Sequence, residues 1–236
     1  MCQPDAIPIG TRVRKDAVPA RTTGQLGMPA PSRVRAHTCL FPQGQQAKEA
    51  LYLAEGTCKL VCHRPDGGDV IVGLRGSGQF LGVEAAILGR SHLVSAVTLT
   101  ECHISRVVAE RFRDLVRAIP ELSWQLHQKH SEELYLETGR IGDLGTLSAR
   151  ERLLRFLDSL HRGHPQDGVV ANEVRVHVPL KQWEIAQLLA VTPPYLCGLI
   201  GELEREGLLR RESDTFVLRR RHRSHIDERA LDAVGP

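Results

Sequence analysis

Apolar residues near the C-terminal end of the chain recur at the spacing of a helix with one buried face. The four positions are Leu196, Leu199, Ile200 and Leu203, which follow the i, i+3, i+4, i+7 pattern. Thr192 precedes them as a natural N-cap, Pro193 suits the first helical position, and Gly207 supplies a C-terminal stop. The pattern therefore predicts a helix that begins after Thr192 and ends before Gly207.

A second amphipathic segment, residues 181–189, precedes this helix and is joined to it by a three-residue linker. Beyond Gly207, the apolar runs 208–209 and 216–218 flank a polar turn and predict a hairpin. Two short helices connected by a tight turn form a helix-turn-helix, whose second helix normally lies in the DNA major groove. We therefore predict a winged helix-turn-helix that is entered by a strand at 174–178.

The first half of the chain has a different pattern, in which short apolar runs are separated by glycine and proline turns. The predicted strands are residues 38–41, 50–54, 58–63, 69–74, 92–99 and 101–107. A small helical turn at 83–88 interrupts them, and turn signals lie between most of the others. Strands this short and this closely spaced predict a β-sandwich or β-roll.

Helical periodicity begins near residue 109, with a short helix at 110–118 and a long one at 121–141. The apolar stripe of the long helix is narrow and incomplete, and two heptad seams fit it, neither of them cleanly. A helix of this kind needs a partner, and a second copy of the chain is the simplest one. The predicted dimerisation residues are Leu122, Leu126, Leu134 and Ile141.

Three glycines, at positions 139, 142 and 145, follow the long helix and predict a hinge. A further helix is predicted over 148–161, because Ser148 and Glu151 form a capping-box pair at its start. The 236 residues suffice for two modest domains. We place the boundary between these domains at the glycine-rich hinge.

Basic residues are concentrated at the two ends of the chain. Residues 1–35 carry six Arg and Lys against two acids, and residues 219–236 carry five Arg against three acids. Because the net charge is +3, the stretch 36–218 has a net charge of −3. A nucleic-acid binder more often carries its positive charge on the reading domain itself. The pattern favours solvated tails over basic arms that contact phosphate.

No apolar run is long enough to span a bilayer, and no apolar signal region begins the chain. We therefore expect a cytoplasmic protein without a membrane partner. The six cysteines are scattered, which is typical of free thiols in a reducing compartment. Nucleophile-elbow, zinc-protease and phosphate-loop motifs are missing from the sequence, so we predict that the protein is not an enzyme.

Several short motifs occur in the order β-roll, long helix, helix-turn-helix. In the first half they are Leu40-Phe41-Pro42-Gln43-Gly44, Tyr52-Leu53-Ala54-Glu55-Gly56 and Gly78-Gln79-Phe80-Leu81-Gly82. In the second half they are Val178-Pro179-Leu180, Ile185-Ala186-Gln187-Leu188-Leu189, Val191-Thr192-Pro193 and Leu203-Glu204-Arg205-Glu206-Gly207-Leu208. Across about residues 36–218 the chain resembles the CRP/FNR family of bacterial transcription regulators.

The resemblance implies an α+β fold with an antiparallel β-roll of the cupin-like, cyclic-nucleotide-binding type, a dimerisation helix and a winged helix-turn-helix. The corresponding division is a basic extension without regular structure at 1–35, a β-roll at 36–119, a dimerisation helix and hinge at 120–145, the winged domain at 146–222 and a tail at 223–236. Implied partners are double-stranded DNA, a second copy of the chain, RNA polymerase and a small-molecule effector. The effector would act allosterically, and neither it nor a cofactor is identified by the sequence.

The effector position departs from the family pattern. Members that bind cyclic nucleotides usually present a Gly-Glu pair and, further along, an Arg-Ser pair. The matching residues form our candidate effector pocket, which is Gly82, Val83, Glu84, Val94 and Ser95. Burying a cyclic phosphate without a guanidinium or ammonium partner is costly. A cyclic nucleotide is therefore not the expected effector.

Metal and cluster sites are not predicted either. Cys2 and Cys39 do not form the tight cluster that an iron–sulfur centre needs. His161 and His164 are expected to be a loose surface pair. Haem binding or the sensing of a redox cue stays an open alternative, with His63, Cys102 or the histidines of the long helix as the residues involved.

The recognition helix departs furthest from the family pattern. Members commonly place Arg, Glu and Arg on its groove face, where this chain has Pro193, Pro194 and Gly198. The candidate DNA-contacting residues are Lys181, Gln182, Thr192, Pro194, Tyr195, Gly198, Arg205, Arg210 and Arg211.

Three interpretations of this helix stay open. In the first, its glycines permit close approach to the groove, with Tyr195 and thymine-methyl contacts, and phosphates are held by Lys181, Arg205, Arg210 and Arg211. In the second, it binds DNA with little base selectivity, and the basic tails supply the affinity. In the third, the domain signals through protein contacts. The third would make the chain a ligand or redox sensor with weak or non-specific DNA binding.

Overall fold

The structure, a computed structural model, describes residues 28–65, 67–163, 169–170 and 173–219. Most of the predicted extension 1–35 and the whole predicted tail 223–236 lie outside these residues. The chain divides into two compact units, an N-terminal unit of residues 13–137 and a C-terminal unit that contains residues 138–236. None of the helices in the described part of the chain is long and apolar enough to cross a membrane.

The described part of the N-terminal unit contains two four-stranded antiparallel sheets, in the orders β1-β8-β3-β6 and β2-β7-β4-β5. The strands are β1 Ser32–Val34, β2 Cys39–Phe41, β3 Glu49–Glu55, β4 Thr57–His63, β5 Asp69–Gly76, β6 Gln79–Leu81, β7 Ser95–Thr98 and β8 Cys102–Val108. Residues of both sheets share one core, whose members are Phe41, Leu51, Leu53, Cys58, Leu81, Ala96, Cys102 and Ile104. The predicted antiparallel β-roll is confirmed.

The sheet that contains strand β3 is covered by helices on the face that points away from the other sheet. Leu51 and Leu53 belong to the core between the sheets, whereas Ala50 and Tyr52 belong to a second core. Successive side chains of a strand point to opposite faces, so β3 is buried on both. The second core is closed by α1 (Val83–Leu88), α2 (Ala109–Ala118) and the start of α3 (Pro120–Thr146).

Two sequence-based boundaries in this unit are wrong, and one strand was not predicted. Strand β1 lies inside the predicted extension 1–35 and pairs with β8, and Met28 is buried in the second core. The predicted strand 92–99 begins only at Ser95, because His92 is buried against Phe41 instead of continuing the strand. Strand β6 was not predicted, since it is only three residues long and lies inside a glycine-rich turn signal.

The predicted end of the long helix at 141 is also wrong, because the helix α3 continues through Gly139, Gly142 and Gly145 to Thr146. The division between the two units, at 137/138, lies beside the first of these glycines. Each glycine costs about 1 kcal/mol relative to alanine in a helix. Contacts within the C-terminal unit offset this cost. Asp143 forms a buried ion pair with Arg155 at 2.6 Å, and Thr146 Oγ1 donates to the Gly142 carbonyl at 2.8 Å.

The described part of the C-terminal unit is the predicted winged helix-turn-helix. Its elements are α4 Ala149–Gly163, β9 Val169–Val170, β10 Glu173–His177, α5 Gln182–Leu188, α6 Pro193–Arg205, β11 Leu209–Glu212 and β12 Thr215–Arg219. The sheet order is β11-β12-β10-β9. Gly207 (φ +66°) ends α6, where Leu208 N–H donates to the Leu203 carbonyl at 3.0 Å in a Schellman motif. The predicted capping box is present, with Ser148 N–H donating to Glu151 at 2.8 Å.

Candidate nucleic-acid interface and sensor site

The recognition helix α6 begins with an unusual N-terminus. Thr192 has the extended backbone of an N-cap, but its side chain makes no capping hydrogen bond. The first two helical positions are Pro193 and Pro194, which have no backbone N–H. Backbone N–H groups at a helix N-terminus are a common phosphate-binding device. This helix therefore offers DNA fewer backbone donors at its tip than an ordinary helix does.

The outward face of α6 is exposed and, apart from Tyr195, carries small groups in its first turns. Pro194, Tyr195, Cys197 and Gly198 all lie on this face. A Cβ atom built onto Gly198 or Gly201 would meet nothing within 4 Å among the described residues. The protein's own packing therefore does not require glycine at 198 and 201. These glycines leave the helix backbone accessible to whatever docks against this face.

Among the candidate DNA contacts, the two arginines of the wing have partners inside the domain. Arg211 Nη1 donates to Gln182 Oε1 at 2.9 Å and its Nε donates to the Ser213 carbonyl at 3.1 Å. Arg210 pairs with Glu212 at 2.7 Å. The candidate phosphate contacts Arg210 and Arg211 therefore also have internal partners, a carboxylate two positions along β11 for Arg210 and an amide at the start of α5 for Arg211.

The other cationic candidates are more available. Lys181, at the start of α5, and Arg205, in the last turn of α6, are exposed. The Lys181 N–H donates to Glu184 Oε2 at 2.8 Å, which closes the first turn of α5. Thr192 is also exposed. Lys181 and Arg205 therefore differ from Arg210 and Arg211, whose guanidinium groups are already paired inside the domain.

Two further arginines, which the sequence did not single out, hold the end of α5. Arg140 Nη2 donates to the Leu188 carbonyl at 3.0 Å, and Arg152 Nε donates to the Leu189 carbonyl at 3.1 Å. The last carbonyls of a helix have no intrahelical partner and attract cations. Arg140 is in α3, so these contacts connect the end of the long helix to the turn before α6. Only the folded chain brings residues this far apart in sequence together.

At the predicted effector position, Gly82 is required by packing. It has a φ of +70°, and a Cβ atom there would lie 2.7 Å from His92 Cε1. The His92 ring stacks on Phe41 with a centroid separation of 3.8 Å. Burial lowers the pKa of His92, which favours the neutral ring. The absence of a side chain at Gly82 therefore leaves the space that the neutral, buried His92 ring occupies.

Ser95 belongs to a hydrogen-bond chain that ties strands together. Ser95 Oγ accepts from Gln43 N–H at 2.8 Å and lies 2.8 Å from His63 Nε2, while His63 Nδ1 lies 2.6 Å from Asp69 Oδ1. Both ring nitrogens of His63 are thereby engaged, so a role as haem ligand would break this chain. Ser95 is buried. It links the turn after β2 to the strands β4, β5 and β7.

The five residues of the predicted effector pocket have different surroundings. Val83 is buried in the second core, Ser95 is bonded to His63 and Gln43, and Val94 is half-buried. Glu84 is the exception, since its carboxylate extends toward α3 and lies 3.7 Å from His130 Nε2. The prediction followed the linear order of a family motif, and the side chains at these positions pack differently.

A polar cluster lies where Glu84 meets α3. Arg75, on β5, is only 8% exposed. Its Nε lies 3.4 Å from Glu133 Oε1 and its Nη2 lies 3.6 Å from Glu137 Oε1. Burial raises the pKa of Glu133. Arg75 was not among the predicted site residues, because a single arginine in a strand has no diagnostic spacing.

Cys58 and Cys102 face each other in the core between the two sheets. Their Sγ atoms are 3.9 Å apart, and both side chains are fully buried. The hydrogen bond with Cys58 is the main cause that lowers the pKa of Cys102 to about 7, whereas the pKa of Cys58 is raised. All five cysteines in the described part of the chain are free thiols.

The predicted dimerisation residues separate into two pairs. Leu122 and Leu126 are buried in the second core of their own unit, so their assignment to a dimer contact is wrong. The first turns of α3 are apolar because they cover the β-roll. Leu134 and Ile141 are 69% and 73% exposed. They belong to the α3 stripe, an exposed row formed by Trp124, His127, Ser131, Leu134, Thr138 and Ile141.

Comparison with known proteins agrees with this architecture. Residues 31–118 match the family model of a cyclic nucleotide-binding domain, and residues 151–223 match that of a Crp-like helix-turn-helix domain. The chain is 22% identical over 192 residues to the cAMP-activated global transcriptional regulator Vfr of Pseudomonas aeruginosa, covering 79% of this chain and 87% of Vfr. It is 24% identical over 198 residues to the CRP-like protein Clp of Xanthomonas oryzae, covering 79% and 82% of the two chains.

Solved structures show the same fold. The c-di-GMP responsive global regulator CLP of Xanthomonas campestris superposes with a TM-score of 0.72 at 22% identity, covering 83% of this chain and 96% of CLP. FixK2 of Bradyrhizobium japonicum superposes with a TM-score of 0.71 at 19% identity, covering 89% and 100%. The two family models together match more than half of the chain, and Vfr is a global transcriptional regulator. The chain therefore belongs to the CRP/FNR family of transcription regulators.

Proposed function

We propose that the protein is a homodimeric transcription regulator in which α6 binds the major groove of DNA. The observation that carries this proposal is the open outward face of α6 in a complete winged helix-turn-helix. Pro194, Cys197 and Gly198 are small, so the helix backbone beside Tyr195 can approach base edges closely. This favours close approach through the glycines over the other two interpretations of the helix.

Different residues would supply selectivity and affinity in this complex. Tyr195 presents a phenol that can donate or accept a hydrogen bond at a base edge, and its ring can contact a thymine methyl group. Lys181 and Arg205 would contact phosphates, which position the protein without reading sequence. Arg210 and Arg211 would shape the wing and hold Gln182 in place.

The experiment is a selection of DNA from a random library by the purified full chain, followed by affinity measurements on the enriched site. We expect Tyr195→Ala to weaken binding to the enriched site by about 1–3 kcal/mol and to leave binding to random DNA nearly unchanged. Arg205→Ala should weaken both and reduce the salt dependence by about one phosphate contact. Arg210→Ala is the matched control and should have a smaller effect. Recovery of no enriched motif at low salt would refute sequence-specific reading.

The proposal includes a homodimer formed through the α3 stripe. The stripe carries large exposed side chains, Trp124, Leu134 and Ile141, at heptad spacing. Leu134→Lys should raise the dimer dissociation constant at least tenfold in sedimentation experiments, because it puts a charge into an apolar seam. Glu132→Lys introduces the same side chain off the stripe and should leave the dimer intact. A monomeric wild-type chain at micromolar concentration would contradict this part.

A second candidate function is a sensor of the same fold that acts through protein contacts. The low number of cations on the outward face of α6 favours it. It predicts that the purified chain is not retained on a DNA column at low salt.

RNA polymerase as a partner of the DNA-bound dimer rests on family membership alone. The effector would act by shifting the balance between two dimer states.

A further inference from the structure

Three potential metal-ligating side chains meet at one place in the N-terminal unit. Glu84 is in the first turn of α1, and His130 and Glu133 are on α3. Because His130 and Glu133 are three positions apart in a helix, their side chains lie on the same face. One ligand atom from each of the three residues lies within 4.8 Å of the other two.

These separations are close to those of donor atoms around one metal ion. Imidazole nitrogen and carboxylate oxygen bind zinc at about 2.0–2.2 Å, so donor atoms around such an ion are roughly 3–4 Å apart. His130 Nε2 and Glu84 Oε1 are already 3.7 Å apart. The side chains of Glu84 and His130 are 56% and 35% exposed, so small rotations can complete the approach. Solvent can also reach further coordination positions.

The charges around the cluster favour a cation. Glu84, Glu133 and Glu137 contribute three negative charges, and Arg75 contributes one positive charge. Contacts of 3.4 and 3.6 Å from Arg75 are longer than the 2.7–2.9 Å of a good charge-assisted hydrogen bond. Arg75 alone therefore compensates these carboxylates incompletely. A divalent ion beside the imidazole would balance the charge that is left.

We propose that Glu84, His130 and Glu133 form a binding site for a divalent first-row transition-metal ion. The imidazole discriminates against Mg²⁺ and Ca²⁺, which prefer all-oxygen sites, and suits Zn²⁺, Fe²⁺ or Ni²⁺ together with two carboxylates. The ion would join α1, directly after Gly82, to α3. If the proposed function holds, the ion is an effector, because it fixes the helix whose stripe forms the dimer.

The test is calorimetric titration of the metal-stripped full chain with ZnCl₂, and with MgCl₂ in parallel. We expect one Zn²⁺ per chain at this site, with at least tenfold weaker binding in Glu84→Gln, His130→Ala and Glu133→Gln. The matched control is Glu132→Gln, which removes a carboxylate from a neighbouring position of α3 outside the α3 stripe. This control should bind Zn²⁺ like the wild type. MgCl₂ should compete poorly.

Titration with Co²⁺ separates this site from the cysteines, because binding here should give weak visible bands without a thiolate charge-transfer band. Equal Zn²⁺ affinity in the wild type and in Glu84→Gln and His130→Ala would overturn the proposal, and so would a wild type that binds none. Glu84 and His130 are partly exposed, so their variants decide the outcome even if Glu133→Gln fails to fold.

The regulatory consequence is tested separately, by measuring DNA affinity with and without Zn²⁺. Zn²⁺ binding that the ligand variants lose supports the site whether or not DNA affinity changes. If the wild type binds no DNA under any condition, the proposed function fails, and the Zn²⁺ titration still decides the site.

Discussion

Glycine plays opposite parts in the two units of this protein. In the N-terminal unit, Gly82 lies where a Cβ atom would come within 2.7 Å of the buried His92 ring. In the C-terminal unit, Gly198 and Gly201 face open space. The first glycine serves the packing of the unit that contains it, whereas the other two create a surface for something outside it.

Leucine on α3 shows the same contrast within one helix. Leu122 is fully buried in the second core, and Leu134 is exposed on the α3 stripe. Both occupy heptad-compatible positions, and residue type alone does not distinguish them. What distinguishes them is the neighbour that the tertiary fold supplies. Substitutions that change side-chain size at these glycines and leucines test whether each position serves internal packing or an outer surface.

The largest expected effect is the loss of stability in Leu122→Ala. Truncating a fully buried leucine typically costs about 2–5 kcal/mol, because it removes apolar burial and leaves a cavity. Urea unfolding at a concentration where the chain is monomeric measures this effect. Leu134→Ala, truncated in the same way on the exposed stripe, should stay within about 0.5 kcal/mol of the wild type. Similar losses in both variants would show that the two leucines are not differently buried.

Gly82→Ala should have the next largest effect. A non-glycine residue with a left-handed backbone costs about 1–3 kcal/mol, and the new Cβ atom would also displace the His92 ring. Thermal unfolding should show a clear decrease in the midpoint temperature. The double variant Gly82→Ala with His92→Ala separates the two causes, since it removes the clash and retains the backbone strain. A stable Gly82→Ala would contradict the tight packing of this turn.

The elements of the fold could be predicted because their signals are local. Periodicity located α6, Gly207 located its end, and Ser148 with Glu151 located the start of α4. The end of the long helix was predicted too early, because glycine is only a weak helix breaker. The contacts of α3 and α4, such as the pair of Asp143 with Arg155, outweighed it.

The candidate sites were harder to predict, because side-chain partners distant in the sequence determine them. Arg211 was assigned to phosphate and instead contacts Gln182, which is 29 positions away. The effector residues were taken from a linear motif, yet Ser95 is bonded to His63 and Glu84 extends toward His130. Arg75 had no sequence pattern at all. Spacing along the chain carries no information about such pairs.

Gly198→Ala is expected to stabilise the free protein by about 1 kcal/mol, because alanine favours the helix and the new methyl group meets no neighbour. The same methyl group would stand on the face proposed to approach DNA, so affinity for the enriched site should fall. Gly201→Ala tests the second glycine in the same way. A variant that is more stable and binds DNA equally well would contradict close approach of α6 to the groove.

The smallest expected effect concerns the turn between α5 and α6. Ala190 has a φ of +53°, in the left-handed region that disfavours residues with a Cβ atom. Ala190→Gly removes roughly 1–2 kcal/mol of this strain, while glycine adds about 0.5–1 kcal/mol of unfolded-state entropy. A small net gain in the free energy of unfolding should follow. Because this exposed residue is outside α6, DNA affinity should not change, which distinguishes turn strain from the surface role of Gly198.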